Sequence, residues 1–440
     1  MIGVFNKAER EVTVVGAGVS GMLAAYALDK KGYRVTLVEE RARGGGLIQT
    51  RKTAHGIAET AAHSLLATPC VVRFCEELGV ELAEIRKDSR ARFIVRGGRP
   101  RKFPLSVGET LTAARRAVFA RAENHADEQD LDAWGRRHLG DGAVEYLLSP
   151  FVQGIYGVRP ADLGVVAAFP ELSLAPGSTL LGAMLGKVFR RGPKEANSSN
   201  EDSTKRDARP KQRKRMVAPL HGMGDVTGRL EEVLIERLGE RFLRGVSVSE
   251  IPAAPNVVLS TPAYVTARML VGEAPALSDA LGRVSYTPVV SVTAFVPTYA
   301  FTRPVKGVGV LAPPREGRKC LGVLFNSSAF EGRVRDESRF ASFTLLFGGT
   351  SQPFWLDATD EEIKRAVAEE LDSLLGIKGG ATELVINRWR RAIPQYSTAL
   401  PAVWRTARET WCATEGRVLF GNYTGQVSLR GMIETSAAMG

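Results

Sequence analysis

A chain of 440 residues is longer than one hydrophobic core usually supports, so two or three lobes are expected. Its hydrophobic content of 44% and charged content of 24% indicate a globular protein, and the formal net charge of +11 favours anionic partners. Aromatic residues are sparse and do not alternate with basic ones, so nucleic acid is not an expected partner.

The four cysteines show no CxxC pair and no neighbouring histidine cluster. This pattern predicts neither a metal site nor a disulfide framework, and it fits a reducing compartment. The chain starts almost directly on a predicted core strand, which leaves no room for a secretory signal, and it has no run of 18 apolar residues. We therefore expect a cytoplasmic protein, with peripheral attachment to a membrane left open.

The first predicted unit is a strand, a glycine-rich turn, a helix and a second strand, from Val12 to Glu40. In its turn GAGVSG, Gly16 permits the tight bend off the strand, and Gly18 lets the backbone approach a pyrophosphate. Gly21 lets the helix pack closely on the strand, with the pyrophosphate at the positive helix N-terminus. Glu39 ends the second strand, where a carboxylate accepts hydrogen bonds from a ribose hydroxyl. Because all of these parts are in register, the stretch predicts a bound dinucleotide.

Three consecutive glycines with flanking arginines come next, in the stretch RARGGG at 41–46. Such a backbone suits a close pass along an anionic ligand that the first loop already holds. A short strand and turn at 56–63, an amphipathic helix at 69–78 and a hairpin at 92–100 are expected after it.

Residues 108–189 are predicted to be mostly helical, with an interruption at 151–157, and to form a lobe that builds one wall of a substrate site. A composition break follows at 194–215, and its second half is strongly basic. We expect a disordered linker there, with a patch for anionic lipid or for a partner as the alternative.

The rest of the chain returns to regular structure. We expect in order a helix and two strands, at about 220–238, 245–249 and 257–262. A second sheet is predicted by three β-rich runs, at 289–296, 321–325 and 343–347. An amphipathic helix at 360–375 precedes a last unit of strand, glycine turn and helix, which begins at 417.

Together these segments resemble the FAD-dependent amine oxidase superfamily and, more narrowly, the oxygen-dependent protoporphyrinogen oxidases. The general flavin features are GAGVSG, Glu39 and the RGGG loop at 43–46, which is similar to the RxGG of that superfamily. The narrower features are FVQGIYGVRPADLGVVAAFPEL at 151–172, RWRRAIPQY at 388–396, and Asn422 where many amine oxidases carry an acid.

The resemblance implies non-covalently bound FAD. Its pyrophosphate would lie on the first glycine loop, its AMP ribose at Glu39, and its adenine against the backbone of Val246. The N-terminus of the last helix would stabilise negative charge on the flavin pyrimidine. The implied cofactor-binding residues are Gly16, Gly18, Val19, Ser20, Gly21, Glu39, Glu40, Arg43, Gly45, Gly46, Val246, Gly421, Asn422, Val427 and Ser428.

The resemblance also implies a substrate and a reaction. FAD would oxidise protoporphyrinogen IX or coproporphyrinogen III to the porphyrin by hydride transfer, with dioxygen as acceptor, in heme biosynthesis. No side chain is assigned as a catalytic base. Arg92 would pair with a propionate, with a surface arginine as the alternative, and Leu311 and Phe325 would line the apolar pocket, with core residues as the alternative.

The predicted fold class is α/β, with an FAD-binding Rossmann-like domain of the GR2 type, a mixed-sheet substrate domain and an inserted helical lobe. The FAD-binding domain takes the segments 8–80, 216–262 and 415–440. The substrate domain takes 81–107 and 263–414, the helical lobe 108–193, and the linker 194–215.

One stretch departs from the family pattern. After Glu59 the family usually has glycine, whereas this chain has Thr60, which puts the flavin geometry and the substrate in question. Three alternatives stay open: a flavin oxidase or desaturase of amines, polyenes or polycyclic natural products; a flavin-binding protein without turnover; and an electrostatic membrane or partner module at 205–215. A homodimer also stays open.

Overall fold

The computed structural model describes residues 1–123, 129–189 and 215–440. The predicted basic linker at 194–215 therefore lies outside the described residues, apart from Arg215, which begins a strand. Within the described ranges, no helix has both the length and the apolar character needed to cross a bilayer.

The strands are, in chain order, β1 (Glu11–Val15), β2 (Arg34–Glu39), β3 (Thr50–Lys52), β4 (Ile57–Glu59), β5 (Leu65–Ala67), β6 (Leu82–Glu84), β7 (Arg92–Arg96), β8 (Arg99–Arg101), β9 (Arg215–Pro219), β10 (Phe242–Arg244), β11 (Asn256–Leu259), β12 (Tyr286–Pro297), β13 (Gly309–Leu311), β14 (Gly322–Leu324), β15 (Phe340–Gly348), β16 (Glu383–Pro394) and β17 (Arg417–Leu419).

The α-helices are, in chain order, α1 (Val19–Lys30), α2 (Pro69–Glu77), α3 (Val107–Phe119), α4 (Leu131–His138), α5 (Asp141–Ala143), α6 (Ser149–Tyr156), α7 (Val165–Ala168), α8 (Leu180–Phe189), α9 (Met223–Leu238), α10 (Ala263–Met269), α11 (Pro275–Gly282), α12 (Asn326–Ala329), α13 (Asp360–Leu375), α14 (Leu400–Glu409) and α15 (Leu429–Ala437).

The first sheet is parallel and has the strand order β10-β2-β1-β11-β17. Its short β-branched runs are largely buried, as expected for parallel strands whose two faces are both covered. On one face α1 packs against α9 and α15, and side chains of all three helices share a core with the sheet. The strands come from three separate segments, 11–39, 242–259 and 417–419. The α/β Rossmann-like prediction is confirmed, while the domain boundaries stay a prediction.

The second sheet is mixed and has the order β16-β12-β15-β14-β13-β7-β8, in which only β7 and β13 pair in parallel. Side chains alternate along β12. Val290 and Val292 belong to a hydrophobic core that α13 completes. Ser291 and Thr293 point to the opposite face, called the front face below. The predicted second sheet is confirmed.

Helix α6 corrects one prediction. The interruption expected at 151–157 is wrong, because Ser149–Tyr156 is helical and the helix ends only at Gly157, whose φ is +67°. The glycine and β-branched residues of this stretch are weak helix formers, and packing overrides that preference. A Cβ on Gly154 would lie 2.8 Å from Leu311 Cδ2, so a larger residue there would displace the Leu311 side chain as the helix packs on the front face.

A second correction concerns the strand expected at 245–249. The strand β10 ends at Arg244, and Gly245 follows with a φ of +72°. This left-handed conformation turns the chain out of the sheet, which leaves Val246 in a loop.

Candidate functional site

The first glycine loop joins β1 to α1 and is shaped for a diphosphate. Gly16 has a φ of +95°, which favours glycine. A Cβ on Gly21 would lie 1.8 Å from the carbonyl oxygen of Gly16, so only glycine lets α1 begin this close to the strand. Gly18 is the N-cap of α1, and a Cβ there would meet no protein atom within 4 Å. Space for a phosphate therefore lies above Gly18 at the positive end of the helix.

The second glycine loop closes against the first. The Gly45 amide donates to the Ala17 carbonyl at 2.9 Å, and Gly45 and Gly46 have φ values of +88° and +59°. A Cβ on Gly46 would lie 3.2 Å from Gly18 Cα, so backbone alone borders the space between the loops. Arg43 is exposed, and its Nη1 donates to the Gly44 carbonyl at 3.0 Å.

The carboxylate of Glu39 ties the end of β2 to the first loop. Its Oε2 accepts from the Ala17 amide at 2.6 Å, and its Oε1 accepts from the Arg41 amide at 3.1 Å. The Val246 amide donates to the Glu39 carbonyl at 3.0 Å, and the Val246 side chain is 41% exposed. Glu39, the exposed Glu40 and Val246 thus lie together at one end of the glycine loops.

The C-terminal segment reaches the same loop from the other side. Ser260 Oγ donates to the Phe420 carbonyl at 2.6 Å and lies 3.0 Å from Ser20 Oγ, so Ser20 points inward. Helix α15 begins after Ser428, whose Oγ accepts from the Gly431 amide at 3.1 Å. The first turn of α1 is thereby tied to the carboxyl ends of β11 and β17, and α15 packs along α1. Of the C-terminal candidates, Gly421 is buried, Asn422 and Val427 are half-buried, and Ser428 is exposed.

Thr60, where the chain departs from the family pattern, stabilises its loop through hydrogen bonds of its side chain and its carbonyl. Its Oγ1 donates to the Leu47 carbonyl at 2.7 Å and accepts from the Gln49 amide at 3.0 Å. Trp389 Nε1 donates to the Thr60 carbonyl at 2.7 Å. Thr60 therefore holds the segment after the second glycine loop, and Trp389 anchors it to the second sheet. Sequence reasoning used Trp389 only as part of a family signature and missed this contact.

Sequence reasoning also missed a buried ion pair between Glu59 and Arg333. Arg333 Nη1 lies 3.3 Å from Glu59 Oε1, and both side chains are 5% exposed. Glu59 also accepts from the Met223 amide at 2.9 Å and the Thr50 hydroxyl at 2.7 Å. Burial raises the pKa of the Glu59 carboxyl, while these partners and Arg333 lower it. Glu59 and Arg333 are far apart in the sequence, so no local sequence pattern predicts their contact.

The buried Nε2 of His63 has no hydrogen-bond partner among the described residues. Burial and the nearby charge of Arg333 lower the pKa of His63 to about 4. This imidazole is therefore neutral at pH 7 and adds no charge to the site.

One row of residues crosses the front face in backbone register. Asn387 pairs with Ser291 and Ser291 with Leu346, and the row continues through β14 and β13 to β7. Adjacent strands lie about 4.8 Å apart, so the row spans roughly 24 Å. We call it the front row, and its members are Asn387, Ser291, Leu346, Gly322, Leu311 and Ile94.

The substrate candidates fall on different faces of this sheet. Leu311 lies in the front row beneath Gly154 of α6. Arg92 is exposed and pairs with Gly309, two residues from Leu311, on the same face. Phe325 is 2% exposed and packs with Phe343 in the core behind the sheet, at 5.8 Å between ring centroids. The structure brings Arg92 and Leu311 together and places Phe325 apart from them.

Comparison with known proteins connects this geometry to a family. Residues 19–438 match the family model for flavin containing amine oxidoreductases. Protoporphyrinogen oxidase 2, chloroplastic/mitochondrial, of Arabidopsis thaliana is 27% identical over 469 aligned residues, which cover 96% of this chain and 91% of that protein. Coproporphyrinogen III oxidase of Propionibacterium freudenreichii subsp. freudenreichii is 25% identical, with 93% of this chain and 87% of that protein covered.

Solved structures agree on the fold. A structure from Exiguobacterium sp. 255-15, which carries a provisional protoporphyrinogen oxidase name, matches with a TM-score of 0.73 at 18% identity, over 99% of this chain and 98% of that one. The open space at the N-terminus of α1, beside the two facing glycine loops, suits the anionic pyrophosphate of a flavin dinucleotide. The chain therefore belongs to the flavin containing amine oxidoreductase family, and its cofactor is FAD, held non-covalently.

Proposed function

We propose that this flavoprotein oxidises protoporphyrinogen IX or coproporphyrinogen III to the porphyrin, with dioxygen as acceptor, in heme biosynthesis. The names of the relatives that match 96% and 93% of the chain support the substrate class. The observation that carries the proposal is that Arg92 and Leu311 lie together on the front face, next to α6.

The front face suits a macrocycle that is apolar in its body and anionic at its edge. Leu346, Leu311 and Ile94 are partly accessible and offer an apolar surface. Arg92 extends from the same face, and its guanidinium donates two parallel hydrogen bonds to a carboxylate. A propionate at the edge of the ring is the expected partner of Arg92.

The chemistry divides between the cofactor and the chain. When bound, FAD supplies the two-electron acceptor for a hydride from a methylene bridge of the substrate, and its reoxidation by dioxygen yields hydrogen peroxide. The N-terminus of α15 would stabilise negative charge on a bound flavin ring. Front-row residues are neutral, so they bind and orient the macrocycle, while a pyrrole nitrogen supplies the electron density that hydride loss requires.

Anaerobic mixing tests this proposal. The purified holoprotein is mixed without oxygen with protoporphyrinogen IX, coproporphyrinogen III or an amine, and the flavin absorbance is followed. Bleaching by a porphyrinogen, reversed by oxygen with formation of peroxide and porphyrin, is the expected result. Bleaching by amines alone would assign another oxidase, and an absence of bleaching by any substrate would assign a protein without turnover.

We also propose that the helical lobe attaches to an anionic membrane surface. Helix α3 buries no residue, and its exposed Val107, Leu111 and Val118 lie on one side at helical spacing. Leu181 and Met184 of the neighbouring α8 are 40% and 53% exposed. Beside them is a cleft of about 600 Å³, whose charged lining residues are Arg115, Arg116, Arg121 and Arg137. Apolar and basic groups together fit the interface of anionic lipid.

Vesicle sedimentation tests the attachment. The holoprotein should sediment with phosphatidylglycerol vesicles at low salt, and Leu111→Glu should release it. Tyr299→Glu is a matched control, because Tyr299 is 89% exposed outside the helical lobe. Equal binding of the wild type and Leu111→Glu would contradict attachment through α3.

A further inference from the structure

The front row is chemically uneven. Leu346, Leu311 and Ile94 are apolar and partly accessible, whereas Asn387 and Ser291 at one end are polar and only 3% exposed each. The two polar residues are direct cross-strand neighbours. They therefore form the closed, polar end of an otherwise apolar row.

This polar pair is not satisfied within the protein. Nδ2 and Oδ1 of Asn387 and Oγ of Ser291 are buried and have no hydrogen-bond partner among the described residues. Thr293, two residues further along β12, does have a hydrogen-bond partner, since its Oγ1 lies 3.2 Å from Thr344 Oγ1. A buried amide and hydroxyl without partners lower the free energy of unfolding, so their presence points to a ligand that completes them.

The pair lies at the end of the row that is connected to the second glycine loop. Trp389 is two residues from Asn387 on the same face of β16, and it donates to the Thr60 carbonyl at 2.7 Å. Thr60 in turn donates to the Leu47 carbonyl, directly after the second glycine loop. Asn387 and Ser291 therefore lie at the end of the row that Trp389 and Thr60 connect to the second glycine loop. Arg92 lies at the opposite end of the row.

We propose that Asn387 and Ser291 bind pyrrole N–H groups of the substrate macrocycle and orient the ring that faces the flavin. This inference rests on the proposed function. A porphyrinogen carries four pyrrole N–H donors within an apolar body, and Asn387 Oδ1 and Ser291 Oγ are unpartnered acceptors. With pyrrole N–H groups at the polar pair and the apolar body of the ring on the rest of the row, the macrocycle has a preferred orientation on the front face.

The same contact bears on the reaction. An acceptor on a pyrrole N–H increases the electron density of that ring, and this favours loss of hydride from the adjacent methylene carbon. We therefore expect the pair to affect both binding and turnover of porphyrinogens.

Asn387→Leu tests the inference, because leucine has a similar volume and no polar atom. The variant should raise KM for the porphyrinogen roughly tenfold, the usual effect of losing a buried hydrogen bond. Its melting temperature should stay equal or rise, since an unpartnered buried amide is removed. A purely structural role for Asn387 would lower the melting temperature and leave KM unchanged.

Ser291→Ala is the second variant, and it should also raise KM for the porphyrinogen. This substitution changes the shape of the side chain less than Asn387→Leu does. Thr293→Val is the matched control, because its hydroxyl already has a protein partner on the same face. Flavin content is measured for every variant by absorbance.

The outcomes separate the two proposals. If the wild-type holoprotein neither oxidises a porphyrinogen nor binds protoporphyrin IX, the proposed function fails and this inference fails with it. If the wild type oxidises the porphyrinogen and both Asn387→Leu and Ser291→Ala keep its kcat/KM, only the inference is overturned.

Discussion

Gly18 and Gly21 lack a side chain for different physical reasons. A Cβ on Gly21 would collide with the Gly16 carbonyl at 1.8 Å, whereas a Cβ on Gly18 would enter free space. Gly18 has a φ of −61°, which alanine also adopts. The fold therefore requires the glycine at position 21, whereas no contact of the described protein requires the one at position 18, and its role towards a bound phosphate is a prediction.

This difference predicts opposite behaviour of two alanine variants. Gly21→Ala should lower the melting temperature of the apoprotein, since backbone must move. Gly18→Ala should leave the apoprotein melting temperature unchanged and weaken FAD binding at least about tenfold, because its methyl group occupies the phosphate position. Calorimetry of the apoprotein and FAD titration measure the two effects. Equal FAD affinity of Gly18→Ala and wild type would remove Gly18 from the cofactor site.

Arg92 provides a prediction on substrate affinity. Arg92→Ala should raise KM for a porphyrinogen roughly tenfold through loss of a charge-assisted hydrogen bond, with flavin content unchanged. Arg90→Ala is the control, because Arg90 is also exposed and lies before the strand. Initial rates of both variants decide the question, and a KM shared by wild type and Arg92→Ala would leave Arg92 as a surface residue.

Among the elements, α3 has no fully buried residue, and side-chain hydrogen bonds at its first turn connect it to the hairpin β7–β8. Ser106 caps the helix, and Glu109 completes the capping box with the Ser106 amide. Arg96 Nη1 donates to Glu109 Oε2 at 2.6 Å, and these partners lower the pKa of Glu109 to about 2. The carboxylate therefore joins the hairpin β7–β8 to the helical lobe.

The stability of α3 should depend on pH in a defined direction. The ordinary pKa of Glu109 is 4.5, and its folded value is about 2. Its stabilising effect is therefore complete above about pH 4.5 and is lost as the pH falls towards 2. Hydrogen-exchange protection of the α3 amides, compared with Glu109→Gln, should differ at pH 6, and the difference should shrink as the pH falls towards 2. A difference that is constant with pH would contradict the assignment.

Helix α6 shows how element type depends on packing. Its glycines and β-branched residues predict a break, yet the described chain is helical from Ser149 to Tyr156. The glycine at position 154 is where Leu311 approaches the helix, so the residue that weakens the helix locally permits the contact. Helix propensity alone could not show this, because Leu311 lies far along the chain.

At the scale of the whole molecule, the Glu59–Arg333 pair joins the β3–β4 hairpin to the loop between α12 and β15. Glu59 ends β4 and accepts from the first amide of α9, while Arg333 follows α12. Arg333 Nη2 also donates to the Leu220 carbonyl at 3.1 Å. One guanidinium thus connects three segments that are distant in sequence.

Removing one partner of the Glu59–Arg333 pair should lower the free energy of unfolding. Arg333→Met leaves Glu59 buried without its cation, and we expect a loss of roughly 3–5 kcal/mol in the free energy of unfolding. The double variant Glu59→Gln/Arg333→Met should recover part of that loss, because no uncompensated charge remains. Urea unfolding of the apoproteins measures both changes. A double variant less stable than Arg333→Met would show that other contacts dominate.

The sequence by itself determined the dinucleotide loop, the two-sheet organisation and the family resemblance. Those features depend on neighbouring residues: glycines at a strand–helix turn, the period of apolar residues, and short motifs such as RWRRAIPQY at 388–396. The places of Gly16, Gly18 and Gly21 in the turn and of Glu39 at the end of β2 could therefore be named from the chain alone, while their roles towards FAD stay predictions.

Only the tertiary structure decided which distant residues share a site. Strand register aligned Asn387 with Ser291 and carried the row across to Leu311, and it placed Phe325 on the opposite face. The partners of Thr60 and Glu59 likewise come from long-range packing. Register follows from backbone pairing between strands far apart in sequence, and a one-residue shift would move every side chain to the other face.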